Sequence, residues 1–388
     1  MEERRYDIDW LRVLAMLTIF LFHNGRFFDP GPWHIKNAEH SVGMLIFVGA
    51  IDAWIMPLFF LLSGVASWYS LESRSARQYL RERILRLLVP FYTVGAFILL
   101  PPQFFWDSVT NGRFDGSFLE FYPQFFRNLY FDILPPFLMP WLGHLWFLVY
   151  LFSISLIALP LTLFLKKERG RHMLSRLAEW CDHRGGVFLF VIPLFFIQVC
   201  LRRLFQGEHT AADFFYFFIY FLIGYIISSD RRFTETIKRH GWICLLLGII
   251  GLGGEAALIF GAGYQYPGGQ SFMPFPLFLL FQFIMSVQTL SWIVFFLGTC
   301  AKHLNFTNRT LAYGNEAVLP FYILHQTLIL LVGSYVVPLT LGIPLKYMII
   351  STTSFALIML TYELLVRRFN WVRFLFGMRP RRLLPSAD

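Results

Sequence analysis

The chain has 388 residues, of which 56% are hydrophobic and 15% charged, with 46 phenylalanines among them. A water-soluble fold of this size has too little interior to hide so much apolar surface, which excludes an ordinary soluble protein. The formal net charge of +9 would suit a nucleic-acid binder, but the positions of the basic residues give it another cause.

In chain order, apolar runs predict ten spans, at 9–28, 44–68, 84–105, 144–165, 187–201, 212–229, 241–261, 274–299, 316–337 and 341–365. A helix needs about 20 such residues to cross roughly 30 Å of hydrocarbon. With the N-terminus in the cytoplasm, most of the 33 Lys and Arg residues fall inside; the outer set is Arg26, Lys36, Arg113, Arg127, Arg202, Arg203 and Lys346. That is the positive-inside bias, with both termini cytoplasmic, so no nucleic-acid partner is predicted. The expected fold class is all-α, a polytopic integral membrane protein of about ten transmembrane helices. One domain is expected over 1–377, with a basic cytoplasmic tail at 378–388.

Arg4 and Arg5 precede the first span, yet Phe22, His23 and Asn24 stand where a signal peptide would carry small residues, so a retained anchor is expected. The segment 106–143 is rich in Phe, Tyr and Pro (Phe121-Tyr122-Pro123, Leu134-Pro135-Pro136) and falls outside. It suits a surface lid or sugar-stacking platform, and equally an interfacial aromatic belt. Lys166–Arg184 is a basic cytoplasmic connector, and residues 366–388 predict an interfacial helix followed by disorder. Cys181, Cys200, Cys244 and Cys300 lie far apart and predict neither a disulfide framework nor a metal site.

Arg12 and His23 are eleven positions apart, almost three helical turns, so both project from one face of the first helix, about 16 Å apart along it. Asp9 lies three residues before Arg12, close enough to pair with it. An imidazole at membrane depth is expensive and usually faces a water-filled cavity. With a pKa near neutrality it can take a proton from a hydroxyl nucleophile. The alternative is a histidine hydrogen-bonded between helices for packing alone; the arginine beneath it favours a shaft for an anionic ligand.

Arg12-x10-His23, Phe59-Phe60-Leu61-Leu62-Ser63-Gly64, and Arg83-x-x-Arg86 followed by Leu87 and Pro90 resemble the acyltransferase-3 family, membrane proteins that acylate extracytoplasmic carbohydrates. Further stretches resemble its branch of periplasmic-glucan succinyltransferases. These are Trp33-His34 with Asn37-Ala38-Glu39, Leu100-Pro101-Pro102-Gln103-Phe104, His144-Leu145-Trp146-Phe147-Leu148, Tyr322-Ile323-Leu324-His325, Tyr362-Glu363 and Arg373-Phe374-Leu375-Phe376. The similarity runs from about residue 6 to 377. One departure is Gln326, where the branch would carry a second histidine after His325.

The resemblance implies a bacterial inner-membrane enzyme with acyl-CoA (succinyl-CoA or acetyl-CoA) as co-substrate and no bound cofactor or metal. Its partners would be acyl-CoA, an extracytoplasmic glycan and membrane lipid. Arg83 and Arg86, three apart at the cytoplasmic end of the third span, would grip the donor's phosphates with Arg12, since guanidinium forks bind phosphate oxygens bidentately; arginines there also serve as topological anchors. His23, His144 and His325 are the catalytic candidates, with His23 as general base or acyl relay. Asp9, Trp33, His34, Asp52 and Trp146 are candidates to bind or orient the acceptor. His144 and Trp146 point about 200° apart on a helix and equally suit a membrane-interface belt. Asp52 and Glu255 would pair with an arginine or with His23, and Glu363 with Arg367 four residues on. A succinyl carboxylate would need a cation such as Arg26 or Arg202-Arg203. The rival reading is a transporter or flippase for a glycan or lipid-linked precursor.

Overall fold

The computed structural model of the chain describes residues 4–127, 142–261 and 273–381. Among these, every regular element is helical. In order they are α1 (Tyr6–Gly25), α2 (Val42–Ser73), α3 (Ala76–Thr110), α4 (Phe118–Arg127), α5 (Gly143–Leu165) and α6 (Glu168–Asp182). There follow α7 (Gly186–Leu201), α8 (Ala211–Ile227), α9 (Arg231–Gly261), α10 (Phe275–His303), α11 (Arg309–Val336), α12 (Ile343–Val366) and α13 (Asn370–Leu375).

Seven of them, α2, α3, α5, α9, α10, α11 and α12, are long and apolar enough to cross a membrane, and each covers a run expected from the sequence. The protein is therefore multi-pass. The two remaining runs in the middle of the chain form the shorter apolar helices α7 and α8. The first run forms α1, which is 20 residues long but interrupted by Asp9, Arg12, His23 and Asn24.

Prolines set the irregular turns, and side chains satisfy what they leave open. Pro57 has no N–H for the carbonyl of Ala53, where α2 breaks, and Thr289 Oγ1 donates to that carbonyl instead at 2.8 Å. Around Pro90, α3 widens into π-helical turns at Ile84–Leu88 and Phe91–Leu99. Pro101 frees the carbonyl of Phe97, and the Tyr122 hydroxyl donates to it at 2.9 Å.

The described residues form two compact units. The first comprises Met1–Ala15, Ala50–Tyr79 and Ser153–Ala312. In it α2 and α8 cross backbone to backbone at paired glycines. A Cβ on Gly64 would stand 1.9 Å from the Phe221 carbonyl oxygen, and one on Gly224 1.9 Å from that of Leu61. Small residues permit such contact in membrane bundles, which gives the Leu62-Ser63-Gly64 stretch a packing role. Phe60 stacks on Phe217 beside it, with ring centroids 4.6 Å apart. On α9, Trp242, Ile243, Leu246 and Ile250 are exposed, as a lipid-facing surface requires.

The second unit comprises Met16–Gly49, Leu80–Phe152 and Tyr313–Asp388. Phe20 packs edge-on to Phe321 and Phe355, which are tilted against each other, between α1, α11 and α12. After α12 the chain turns back onto the start of α3. Gly377, at φ +67°, lies so close that a Cβ would meet the Arg86 carbonyl oxygen at 2.8 Å, and Arg379 pairs with Glu82 at 2.7 Å. The expected short helix of the tail is α13; the disordered stretch expected beyond it falls mainly on 382–388, outside the described residues. Within the 106–143 segment, α4 packs its rings against each other and α3, as in Phe97–Phe126 and Phe105–Phe121; the Leu134-Pro135-Pro136 stretch lies outside the described residues.

Candidate active site

Helix α1 runs unbroken past Arg12 and His23, so the eleven-residue spacing is a helical one. His23 stands just before its end at Gly25, where Asn24 Nδ2 donates to the Phe20 carbonyl at 2.7 Å. Residues 26–41 then fold back over it. Arg26 and Lys36 both clasp the buried carboxylate of Asp29, and Lys36 Nζ also donates to the Arg26 carbonyl at 2.6 Å. From α12, Lys346 Nζ donates to Asn37 Oδ1 at 2.7 Å. The return loop thereby lays the Trp33 indole on His23, centroids 5.2 Å apart and planes 20° apart, with the Arg26 guanidinium 5.4 Å from the Trp33 ring centroid.

Behind His23 lies a second imidazole, His325 on α11, ring centroid 5.0 Å away, and a third, His144 in the first turn of α5, 5.4 Å from His325 and edge-on to it. His325 and His144 are buried. Two of the rings have their tautomers set by backbone carbonyls, which can only accept. His325 Nδ1 donates to the Tyr322 carbonyl at 2.5 Å, and His144 Nε2 donates to that of Ile323 at 3.1 Å. The Gln103 amide then donates to His144 Nδ1 at 2.9 Å and to Thr327 Oγ1 at 2.7 Å.

Gln326 joins this polar layer. Its amide donates to Gln103 Oε1 and to His34 Nε2, each at 3.1 Å. His34 Nδ1 faces the Asp107 carboxylate at 3.8 Å. Burial pushes the His34 imidazole below its ordinary pKa, and Asp107 only partly opposes this. The position expected to hold a second histidine thus carries an amide that bridges two imidazole-bearing segments. Gln103 and Gln326 were absent from the sequence-predicted set. For Gln103 the available signal was its place after Pro101-Pro102, where backbone donors are missing.

Five buried polar atoms in this one region have no hydrogen-bond partner among the described residues: His23 Nδ1, Asn24 Oδ1, Trp33 Nε1, His34 Nδ1 and His325 Nε2. Buried polar groups are normally satisfied, so a cluster of such atoms suits a place that receives a polar ligand.

His23, Trp33, His34, His144 and His325 are therefore gathered in one unit. Trp146 meets Phe147 and Tyr150 edge-on. Arg83 ends the regular part of α3 and the exposed Arg86 lies in the π-helical turn that follows, in the second unit as well. Asp9, Arg12 and Asp52 belong to the first unit, where Asp9 pairs with Arg4 at 2.8 Å and with Arg12 at 3.4 Å, and Asp52 is exposed. Glu255 accepts from Gln288 Nε2 at 2.9 Å, and Glu363 pairs with Arg367 at 2.8 Å. Arg202 pairs with Asp213, and Arg203 donates to the Met273 carbonyl at 2.6 Å.

The profile described as an acyltransferase domain matches residues 5–363. Proteins named Glucans biosynthesis protein C from Salmonella paratyphi A, Salmonella agona and Salmonella enteritidis are each 22% identical over 348 residues, covering 86% of this chain and 85% of theirs. No solved structure matches the chain. Matched by that domain over nearly its whole length, and built on helices apolar enough to cross a membrane, the chain belongs to the acyltransferase-3 family of membrane acyltransferases.

Proposed function

We propose that this protein is an O-acyltransferase of the bacterial inner membrane. It moves a succinyl or acetyl group from cytoplasmic acyl-CoA to a hydroxyl of an extracytoplasmic glycan, a periplasmic glucan. In this reading ten helices span the membrane, α1, α7 and α8 among them, and both termini are cytoplasmic. The observation that carries the reading is the imidazole cluster: His23 and His325 lie ring to ring at 5.0 Å, each with a buried nitrogen that has no partner among the described residues.

Arg83 and Arg86 hold the phosphates of the donor, their planar forks matching phosphate oxygens. The thioester reaches the imidazoles, and the glycan hydroxyl meets it there. An imidazole removes the hydroxyl proton, the oxygen attacks the thioester carbonyl, and the carbon–sulfur bond breaks to release CoA. That base comes from the cluster, where His23 is the sequence-predicted choice for base or acyl relay. General-base help contributes about 10²–10⁴ in rate, and alignment of two substrates away from water supplies more. Trp33, stacked on His23, offers a flat apolar face to a sugar ring. A dicarboxylic acyl group would find its cation in Arg26, the one of the three proposed outer arginines that belongs to the same unit.

The test uses membranes containing the protein, supplied with acyl-CoA and periplasmic glucan. Free CoA thiol released only when glucan is present supports the reading. Glucan or lipid carried across the membrane with the thioester intact overturns it and returns a transporter.

A further inference from the structure

Resting on the acyl-transfer reading, we propose that the proton-accepting atom is Nε2 of His325, with the Tyr322 carbonyl as the backbone acceptor that fixes it. Three imidazoles adjoin, and their hydrogen bonds sort them. His144 uses both nitrogens: Nε2–H is spent on the Ile323 carbonyl and the Nδ1 lone pair on the Gln103 amide. It has no lone pair to offer a substrate. His325 is held the opposite way round. Its Nδ1–H is committed to the Tyr322 carbonyl at 2.5 Å, so the lone pair of the neutral ring stands on Nε2. That atom is buried and without a partner among the described residues.

A base oriented through its far nitrogen by a fixed acceptor is the arrangement that activates hydroxyl nucleophiles. The Tyr322 carbonyl does two things here. It fixes the tautomer, and its partial negative charge stabilises the imidazolium that forms. His23 lacks such a handle: no carbonyl is bound to its ring among the described residues, and one face is covered by Trp33. This leaves His23 beside the acyl group, and His325 beside the hydroxyl.

The glycan O–H proton passes to Nε2, whose lone pair forms the new N–H bond. The oxygen bonds to the acyl carbon, and the carbon–sulfur electron pair leaves with the CoA thiolate. The imidazolium then returns its proton to that sulfur, restoring neutral His325.

The test is acylation of glucan by membranes, followed by mass spectrometry. His325→Asn retains a side-chain amide that can donate to the Tyr322 carbonyl but has nothing in place of Nε2. It is expected to insert at the wild-type level and to acylate about 10²–10⁴-fold more slowly. His325→Ala is expected to recover rate with added imidazole, and to recover more with alkyl-imidazoles of higher pKa, a trend that a packing role would not produce. An inserted Asn variant within tenfold of wild type overturns the assignment. So does an Ala variant that no imidazole accelerates. If the wild-type protein itself transfers no acyl group, the acyl-transfer reading has failed and the assignment falls with it.

Discussion

The carbonyl of Tyr322 accepts from Nδ1 of His325 at 2.5 Å, while the hydroxyl of the same tyrosine donates to the carbonyl of His144 at 2.5 Å. One residue of α11 thus holds the His325 ring by its carbonyl and the His144 backbone by its hydroxyl. Removing the hydroxyl in Tyr322→Phe leaves the carbonyl bond to His325 intact and a buried carbonyl at His144 unmatched. We expect a stability loss of about 1–3 kcal/mol, read as a lower thermal midpoint in detergent, with kcat reduced far less than in His325→Asn.

Gln103 makes a sharper prediction. Its amide is the donor to His144 Nδ1, and its oxygen accepts from Gln326. Gln103→Leu leaves both groups unsatisfied and lets the His144 ring turn. Steady-state kinetics should show kcat down about ten- to a hundredfold, the scale of a small misplacement, with KM for both substrates little changed. An unchanged kcat would remove Gln103 from the site.

His34 supplies the pH dependence. Burial favours its neutral form, so the folded-state pKa lies below the ordinary 6.5. The unfolded chain therefore binds the proton more tightly, and this contribution to stability is present above pH 6.5 and lost as pH falls toward the folded value. The thermal midpoint of wild type should drop more between pH 7.5 and pH 5.5 than that of His34→Gln, which keeps an acceptor near Gln326. Equal drops would contradict the burial argument.

The crossing of α2 and α8 is a packing prediction. Gly64→Ala or Gly224→Ala sets a methyl carbon 1.9 Å from a backbone carbonyl, which no rotamer relieves. Each should cost about 1–3 kcal/mol or more through overpacking, seen as reduced thermal stability or membrane yield. Asp29→Asn acts elsewhere, leaving Arg26 and Lys36 without their shared anion. Breaking a buried pair costs about 3–5 kcal/mol, and limited proteolysis should then find residues 26–41 accessible.

Much of this was legible in the amino-acid order, because apolar run length is a direct consequence of bilayer thickness. The apolar runs marked every long helix, and the eleven-residue step from Arg12 to His23 gave their shared helix. What the order could not show was long-range pairing. Trp33 reaches His23 only because Asp29 clasps Arg26 and Lys36, and nothing local announces that loop closure. The π-helical turns near Pro90 depend on how the freed carbonyls are covered, as by Gly377 at Arg86. Gln103 looked like an ordinary polar residue, and Gln326 stood out only as a missing histidine, because an amide declares its role only through the partners folding supplies.

The central claim is that an acyl group reaches a glycan hydroxyl through this imidazole cluster. Mass spectrometry of periplasmic glucans from cells lacking the gene, and from the same cells carrying wild type or His23→Ala, tests it most directly. Wild type should restore a mass increment of one acyl group or more per glucan, and an inserted His23→Ala should not. Glucans of identical mass in all three strains, or full acylation by His23→Ala, would contradict the account.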